Sequence, residues 1–251
     1  MATAQELLHA FDTLLQPERF SDYAPNGLQV EGCQEVRRIV SGVTASRAFI
    51  EAAIAAHADA VFVHHGLFWR GQDGRVTGWM KQRLALLLRH DINVFAYHLP
   101  LDAHAELGNN AQFGRTLGLA ASGRFGQQDL GFIGRRLDGP DWTGVEFAGH
   151  VRRALGRDVL LVGGDDRPLR RIAWCTGGAQ GYFEAAIAAG ADAFITGEIS
   201  EPQAHYASEC GVAFLACGHH ASERFGAPAV AGHVAAQLGI EHQFIEIDNP
   251  A

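Results

Sequence analysis

The chain has 251 residues, with 28 acidic and 20 basic side chains and a net charge of −8 when histidine is neutral. Its 47% hydrophobic content is typical of a globular protein and excludes a disordered chain, a collagen and a disulfide scaffold. The acidic balance argues against nucleic acid as the main partner, because phosphate binding relies on clustered lysine and arginine.

The first segment, residues 1–16, predicts an amphipathic helix that lacks the basic n-region and continuous apolar h-region of a signal peptide. No apolar run approaches the roughly 20 residues of a membrane-spanning helix, so we expect no membrane association. The four cysteines have no C-x-x-C spacing, which is typical of reduced thiols. These features predict a cytoplasmic protein.

Two segments that lie 133 residues apart are nearly identical. Residues 51–60 and 184–193 differ at one position of the ten, and apolar runs flank both segments at the same offset. Each copy predicts a strand, an alanine-rich helix and a second strand, and a third apolar strand follows at 92–97 and at 212–217. Strands that alternate with helices indicate βαβ units and a mainly parallel sheet.

We therefore predict an α/β fold of internally duplicated βαβ units, with two similar three-layer halves and mainly parallel or mixed sheets. The predicted halves are residues 1–125 and 126–251. The C-terminal strand at 241–247 could pack on the first half, and the glycines and aspartates at 163–166 predict a turn.

Histidines and carboxylates follow the predicted strands, at the sheet edge where α/β proteins bind ligands. His64 and His65 end one strand, His98 and Asp102 follow the next, and His219 and Glu223 follow the third strand of the second copy. Taken singly, each has an ordinary explanation: an incidental histidine pair, a helix N-cap at Asp102, or a surface i,i+4 pair. Together they predict a metal site with the ligands His64, His65, Asp102, His219 and Glu223.

Five ligands that include two carboxylates suit two divalent ions better than one, because a lone catalytic zinc usually takes three protein ligands. Mixed imidazole and carboxylate ligation does not distinguish among Zn, Fe, Mn and Ni. The middle strand of the second copy ends in Gly197 and Glu198 instead of two histidines, so Glu198 either supports a ligand or faces the substrate. Phe68 and Trp69 could wall a pocket for a planar ligand or pack in the core.

Five short stretches carry a resemblance to a known family. They are NGLQV at 26–30, VHHG at 63–66, YHLPLD at 97–102, ITGE at 195–198 and GHHASE at 218–223. The chain resembles the Nif-three-like family, also called dinuclear metal centre proteins or GTP cyclohydrolase I type 2 homologues, in its compact bacterial form. Gly66 departs from the family pattern, in which we expect proline in many members.

The resemblance implies two α/β halves with a metal pair at their interface, and it assigns the ligand role to all five predicted ligands. It also implies a ring-like homohexamer. The function that follows is a metal-dependent hydrolase of the GTP cyclohydrolase type, with a nucleotide as one candidate small-molecule substrate. His98 and Glu198 are the candidates for proton transfer, and Arg70 and Arg224 are the nearest cations for a triphosphate. The alternatives are a metal-handling or metal-delivery protein and a ring-shaped regulatory scaffold with structural metals.

Overall fold

The computed structural model describes residues 1–164 and 166–251. Of the turn predicted at 163–166, Asp165 therefore lies outside the described residues. The helices of the described chain are α1 (Ala4–Leu15), α2 (Arg47–Ala55), α3 (Gly78–Arg89), α4 (Leu99–Ala103), α5 (Asn109–Thr116), α6 (Gly144–Leu155), α7 (Phe183–Ala188), α8 (Glu201–Cys210), α9 (His219–Glu223) and α10 (Gly226–Leu238). The strands are β1 (Ala2–Thr3), β2 (Gly27–Val30), β3 (Glu35–Val36), β4 (Arg38–Thr44), β5 (Ala60–His65), β6 (Asn93–Ala96), β7 (Leu119–Phe125), β8 (Gly131–Arg136), β9 (Leu160–Val162), β10 (Ile172–Trp174), β11 (Ala193–Thr196), β12 (Ala213–Ala216) and β13 (Glu241–Phe244).

The chain divides into two compact units. Unit 1 comprises Met1–Gly108 and Gly226–Asp248, and unit 2 comprises Asn109–Phe225 and Asn249–Ala251. This division differs from the predicted halves 1–125 and 126–251 at both ends. The apolar face of α10 is buried in the core of unit 1, and β13 pairs in parallel with β4, whereas β7 pairs with β8 inside unit 2. Pairing over a long sequence separation thus sets the boundary.

Unit 1 contains a sheet in the order β13-β4-β5-β6-β2, in which β2 alone runs antiparallel to its neighbour. Its central strands are buried on both faces, as parallel strands are when helices cover them. Successive residues of β4 face opposite sides of the sheet. Ile39 packs with α1 and α10, and Val40 packs with α2 and α3. The unit is therefore a three-layer structure. A separate two-stranded sheet pairs β1 with β3.

Unit 2 contains a sheet in the order β7-β8-β10-β11-β12-β9, with β10, β11 and β12 parallel and the outer strands antiparallel. Trp174, Ile195 and Leu215 face the core formed with α5 and α6. On the opposite face, Phe183 of α7 packs against Phe194, with ring centroids 5.9 Å apart. Helices cover both faces here too.

Both units repeat one order of elements. Unit 1 runs β4-α2-β5-α3-β6 and unit 2 runs β10-α7-β11-α8-β12, with three parallel strands in each. The predicted α/β fold with mixed sheets is confirmed, while the internal duplication as such stays a prediction. Within residues 1–164 and 166–251, no helix is both long and apolar enough to cross a lipid bilayer.

Candidate metal centre

Three histidines of unit 1 meet at the carboxyl end of its parallel strands. His64 and His65 are the last residues of β5, and His98 is the N-cap of α4, after β6. One ring nitrogen of each histidine lies within 4.8 Å of the corresponding nitrogens of the other two, and the rings of His64 and His98 are stacked with centroids 4.9 Å apart. The sequence predicts His98 as a candidate for proton transfer; the structure also places it with His64 and His65 in a group of three imidazoles that could hold a metal ion.

Neighbouring strands orient the two histidines of β5. His64 Nδ1 lies 3.1 Å from the main-chain oxygen of Tyr97, and His65 Nδ1 lies 3.1 Å from the hydroxyl of Thr44. A carbonyl oxygen only accepts hydrogen bonds, so the Nδ1 of His64 must carry the proton. Neutral His64 then presents a lone pair at Nε2, which is the form of imidazole that binds a metal.

Asp102 completes the cluster of unit 1. It lies in α4 with its side chain buried, and its Oδ1 is 3.5 Å from Nε2 of His64. The N-cap position belongs to His98, so Asp102 does not start the helix. A cation can bind where an imidazole lone pair faces a carboxylate oxygen. Imidazole nitrogens and carboxylate oxygens are both ligands of Zn, Mn, Fe and Ni. The residues present therefore fit a divalent metal ion.

A carboxylate absent from the sequence predictions holds His98. The Oδ1 atom of Asp22 lies 2.9 Å from His98 Nδ1, and its Oδ2 accepts a hydrogen bond of 2.8 Å from the main-chain N–H of Leu99. Burial by itself raises the pKa of Asp22, but the bonds from His98, Leu99 and Asn26 outweigh it and hold the pKa below its usual range. Asn26 also accepts from the N–H of His98, which gives the NGLQV motif a structural role.

Aromatic side chains border the histidines of unit 1. The ring centroid of Trp69 lies 5.2 Å from that of His98 and 5.8 Å from that of His65, and Tyr23 lies 4.9 Å from His98. They line a groove of about 390 Å³, which Phe68 also borders. Trp69 thus walls a surface groove, while Phe68 also packs against the core.

In unit 2, α9 places His219 beside Glu223, as their i,i+4 spacing predicts. His219 Nε2 lies 3.1 Å from Oε2 of Glu223, and its Nδ1 lies 2.6 Å from Oε1 of Glu198. Burial by itself lowers the pKa of His219, but the two carboxylates outweigh burial and raise the pKa to about 9. Glu198 therefore orients His219 as a carboxylate orients a metal-bound imidazole.

Three other polar side chains have partners outside these clusters. His205 is exposed on α8 and pairs with Glu201 at 2.8 Å. Arg70 donates to the main-chain oxygen of Asp22, and Arg224 donates to that of Leu155. At Gly66, a Cβ atom would meet the side-chain amide of Gln29, so a larger residue there requires this amide to move.

Fold and site together define an α/β protein with imidazole and carboxylate groups that can hold metal ions. The family described as Duf34/NIF3 (NGG1p interacting factor 3) matches residues 2–250, and the chain belongs to this family. The resemblance found in the sequence is thereby confirmed.

Relatives and solved structures match over the whole chain. A Pseudomonas aeruginosa protein named GTP cyclohydrolase 1 type 2 homolog is 51% identical over 248 residues, covering 98% of this chain and 97% of the relative. A Neisseria meningitidis protein of the same name is 48% identical over 251 residues, covering both chains completely. The structure of the protein ybgI, titled as of unknown function, is 44% identical with a TM-score of 0.95, and the match covers 99% of this chain and 100% of that one. A structure from Thermus thermophilus is 31% identical with a TM-score of 0.86, and the match again covers 99% of this chain and 100% of that one.

Proposed function

We propose that the protein is a metal-dependent hydrolase with a dinuclear centre of two divalent ions held by His64, His65, Asp102, His219 and Glu223. One observation carries this proposal: the bond from His64 to the main chain of Tyr97, which aims an imidazole lone pair toward Asp102. Membership of the family and the names of the relatives support it. Two such ions, when bound, would lower the pKa of a water and so supply a hydroxide for attack on an electrophilic carbon.

The chain's own residues have distinct tasks in this proposal. Glu198 holds the ring of His219 through Nδ1, which is a positioning role rather than proton transfer. His98, oriented by Asp22 through Nδ1, moves a proton at its Nε2 atom. Tyr23 and Trp69 border the groove beside His98 and bind the flat ring of a nucleotide-like substrate.

The cellular setting belongs to the same proposal. No disulfide links the four cysteines in the described part of the chain, which supports a reducing, cytoplasmic environment. The family resemblance supports a homohexamer.

Metal content and turnover test the proposal. Tag-free wild-type protein is expected to bind about two ions per chain by elemental analysis, and His65→Ala and Glu223→Ala to bind fewer. Metal-loaded wild type is then assayed on a nucleotide panel that includes GTP, with chelator-treated protein as the control. Hydrolysis that disappears on chelation is the expected result. Bound metal without turnover, together with transfer of that metal to an apo-protein, would favour metal delivery and overturn the hydrolase.

A further inference from the structure

Unit 2 contains a groove of about 620 Å³ beside the predicted ligand His219. It lies where β11 and β12 end, and Glu198, Gly218 and His219 line it. Its size is within the range of small-molecule sites, and its position is where α/β sheets bind ligands. One cation also lines this groove, namely Arg157, which follows α6.

Arg157 uses both ends of its guanidinium on main-chain oxygens. Its Nη1 donates to the oxygen of Ala251 at 2.9 Å, and its Nη2 donates to that of Pro250 at 3.0 Å. Among residues 1–164 and 166–251, no side-chain carboxylate pairs with Arg157, and its neighbour Asp158 pairs with Arg152 instead. A two-pronged guanidinium that no side-chain carboxylate neutralises has the geometry that binds phosphate or carboxylate oxygens.

The backbone before His219 holds this guanidinium in place. A Cβ atom at Gly218 would collide with Nη1 of Arg157, so the guanidinium lies directly on the main chain at that residue. Gly218 also has a φ of 98°, which favours glycine. A group bound by Arg157 therefore lies next to Gly218, which directly precedes the predicted ligand His219.

We propose that Arg157 binds a phosphate group of the substrate, and that the main-chain oxygens of Pro250 and Ala251 occupy this position until the substrate displaces them. A phosphate dianion forms charge-assisted hydrogen bonds to the same fork and takes the place of the Pro250 and Ala251 oxygens. Arg157 thereby supplies a cation in the groove beside His219, whose lining includes neither Arg70 nor Arg224. The inference rests on the proposed function, because it assigns the substrate class of the same centre.

Calorimetric titration with inorganic phosphate tests the role of Arg157. The Arg157→Gln variant is expected to bind phosphate about tenfold more weakly or worse, since hydrogen bonds to charged groups are among the strongest. Arg152→Gln is the matched control, because it removes the same charge nearby and should leave the affinity unchanged. Equal losses in the two variants would contradict the inference, as would acetate that binds as tightly as phosphate.

A second variant removes the tail, including the lining residue Ala251, and keeps Arg157. A chain that ends at Asp248 is expected to bind phosphate more tightly, because the competing oxygens are gone and the binding-competent state is fully populated. Unchanged affinity would overturn the competition. Metal content, measured on the same samples, separates the two proposals. If metal-free wild type still binds phosphate through Arg157, the metal-dependent hydrolase alone is contradicted. If the protein holds metal but its phosphate affinity does not depend on Arg157, this inference alone is contradicted.

Discussion

The second parallel strand ends differently in the two units, although the same elements surround it. In unit 1 it ends in His64 and His65; at the same offset of 133 residues, unit 2 has Gly197 and Glu198. A Cβ atom at Gly197 would lie 2.5 Å from Cα of His219 and 2.7 Å from the oxygen of Gly177. One unit thus uses this strand end for imidazoles, and the other uses it for close backbone packing. A shared topology does not imply a shared site.

Both units nevertheless hold a histidine by the same means. Asp22 contacts Nδ1 of His98 at 2.9 Å, and Glu198 contacts Nδ1 of His219 at 2.6 Å. The carboxylates differ in environment, since the Asp22 side chain is 4% exposed and that of Glu198 is 45% exposed. Asp22 also accepts main-chain hydrogen bonds, so its loss should affect folding as well as the site.

The largest expected effect is the loss of metal from unit 1. We expect His64→Ala to lower metal affinity by at least about tenfold, since even changes to groups that only orient a ligand cost about 10–100-fold. Elemental analysis and chelator competition measure the change. His90→Ala, at an exposed histidine, is the control. If His64→Ala held as much metal as the wild type, the end of β5 would not be a metal site and would not differ in this respect from the end of β11.

The two supporting carboxylates should separate by their effect on stability. Glu198→Gln is expected to weaken metal binding by about 10–100-fold, because Glu198 orients the proposed ligand His219. Asp22→Asn acts on His98, which is not among the five proposed ligands, and should change metal affinity less. Asp22→Asn should also lower the free energy of unfolding of the metal-free protein by about 1–3 kcal/mol, because buried donors lose their acceptor. Chelator competition and thermal melts measure the two quantities. If Glu198→Gln destabilised the metal-free protein as much as Asp22→Asn does, the greater burial of Asp22 would make no difference to stability.

The packing role of Gly197 can be tested with a single methyl group. Gly197→Ala is expected to cost about 1–3 kcal/mol of stability, because the Cβ atom meets main-chain atoms that cannot easily move. Gly181→Ala is the control, since nothing lies within 4 Å of its Cβ position. Urea denaturation compares the two midpoints. A Gly197→Ala midpoint as high as that of Gly181→Ala would refute the close approach.

The smallest expected effect concerns a feature that the units share. Helix α1 begins with a capping box of Thr3 and Glu6, and α6 begins with one of Thr143 and Glu146. Thr3→Ala and Thr143→Ala should each cost about 1 kcal/mol at neutral pH, whereas the serine variants should cost less. Urea denaturation measures these differences. Alanine and serine variants of equal stability would show that the cap hydroxyls contribute nothing.

The same caps predict a pH dependence. Hydrogen bonds from Thr3 and Thr143 hold the pKa of Glu6 and Glu146 below the usual value. The contribution of a carboxylate with a lowered pKa is present above the unfolded-state pKa of about 4.3 and is lost as pH falls through the folded-state value. Glu146→Gln should therefore lower stability at pH 7 and make no difference in strong acid, as measured by unfolding at both pH values. A difference that persisted in acid would exclude the charge as its source.

Local patterns in the chain predict the strands and their final residues well. Apolar runs such as Val61–Val63 identify β5, and the histidines next to them need no further information to be placed at a strand end. Asp22 could not be identified in this way, because it is 76 residues from His98 and no periodic pattern links them. The nearby NGLQV motif at 26–30 is the one local feature of the sequence that draws attention to the neighbourhood of Asp22.

The sequence by itself determined the fold class, the strand ends that carry histidine, and the family, because these depend on short-range patterns of apolar and polar residues. Only the tertiary structure decided that α10 and β13 belong to unit 1, that His98 joins His64 and His65, and that Arg157 faces the groove beside His219. Each of these depends on contacts between residues far apart in the chain. Strand pairing and burial bring such residues together, and no local sequence pattern indicates which distant residues will meet.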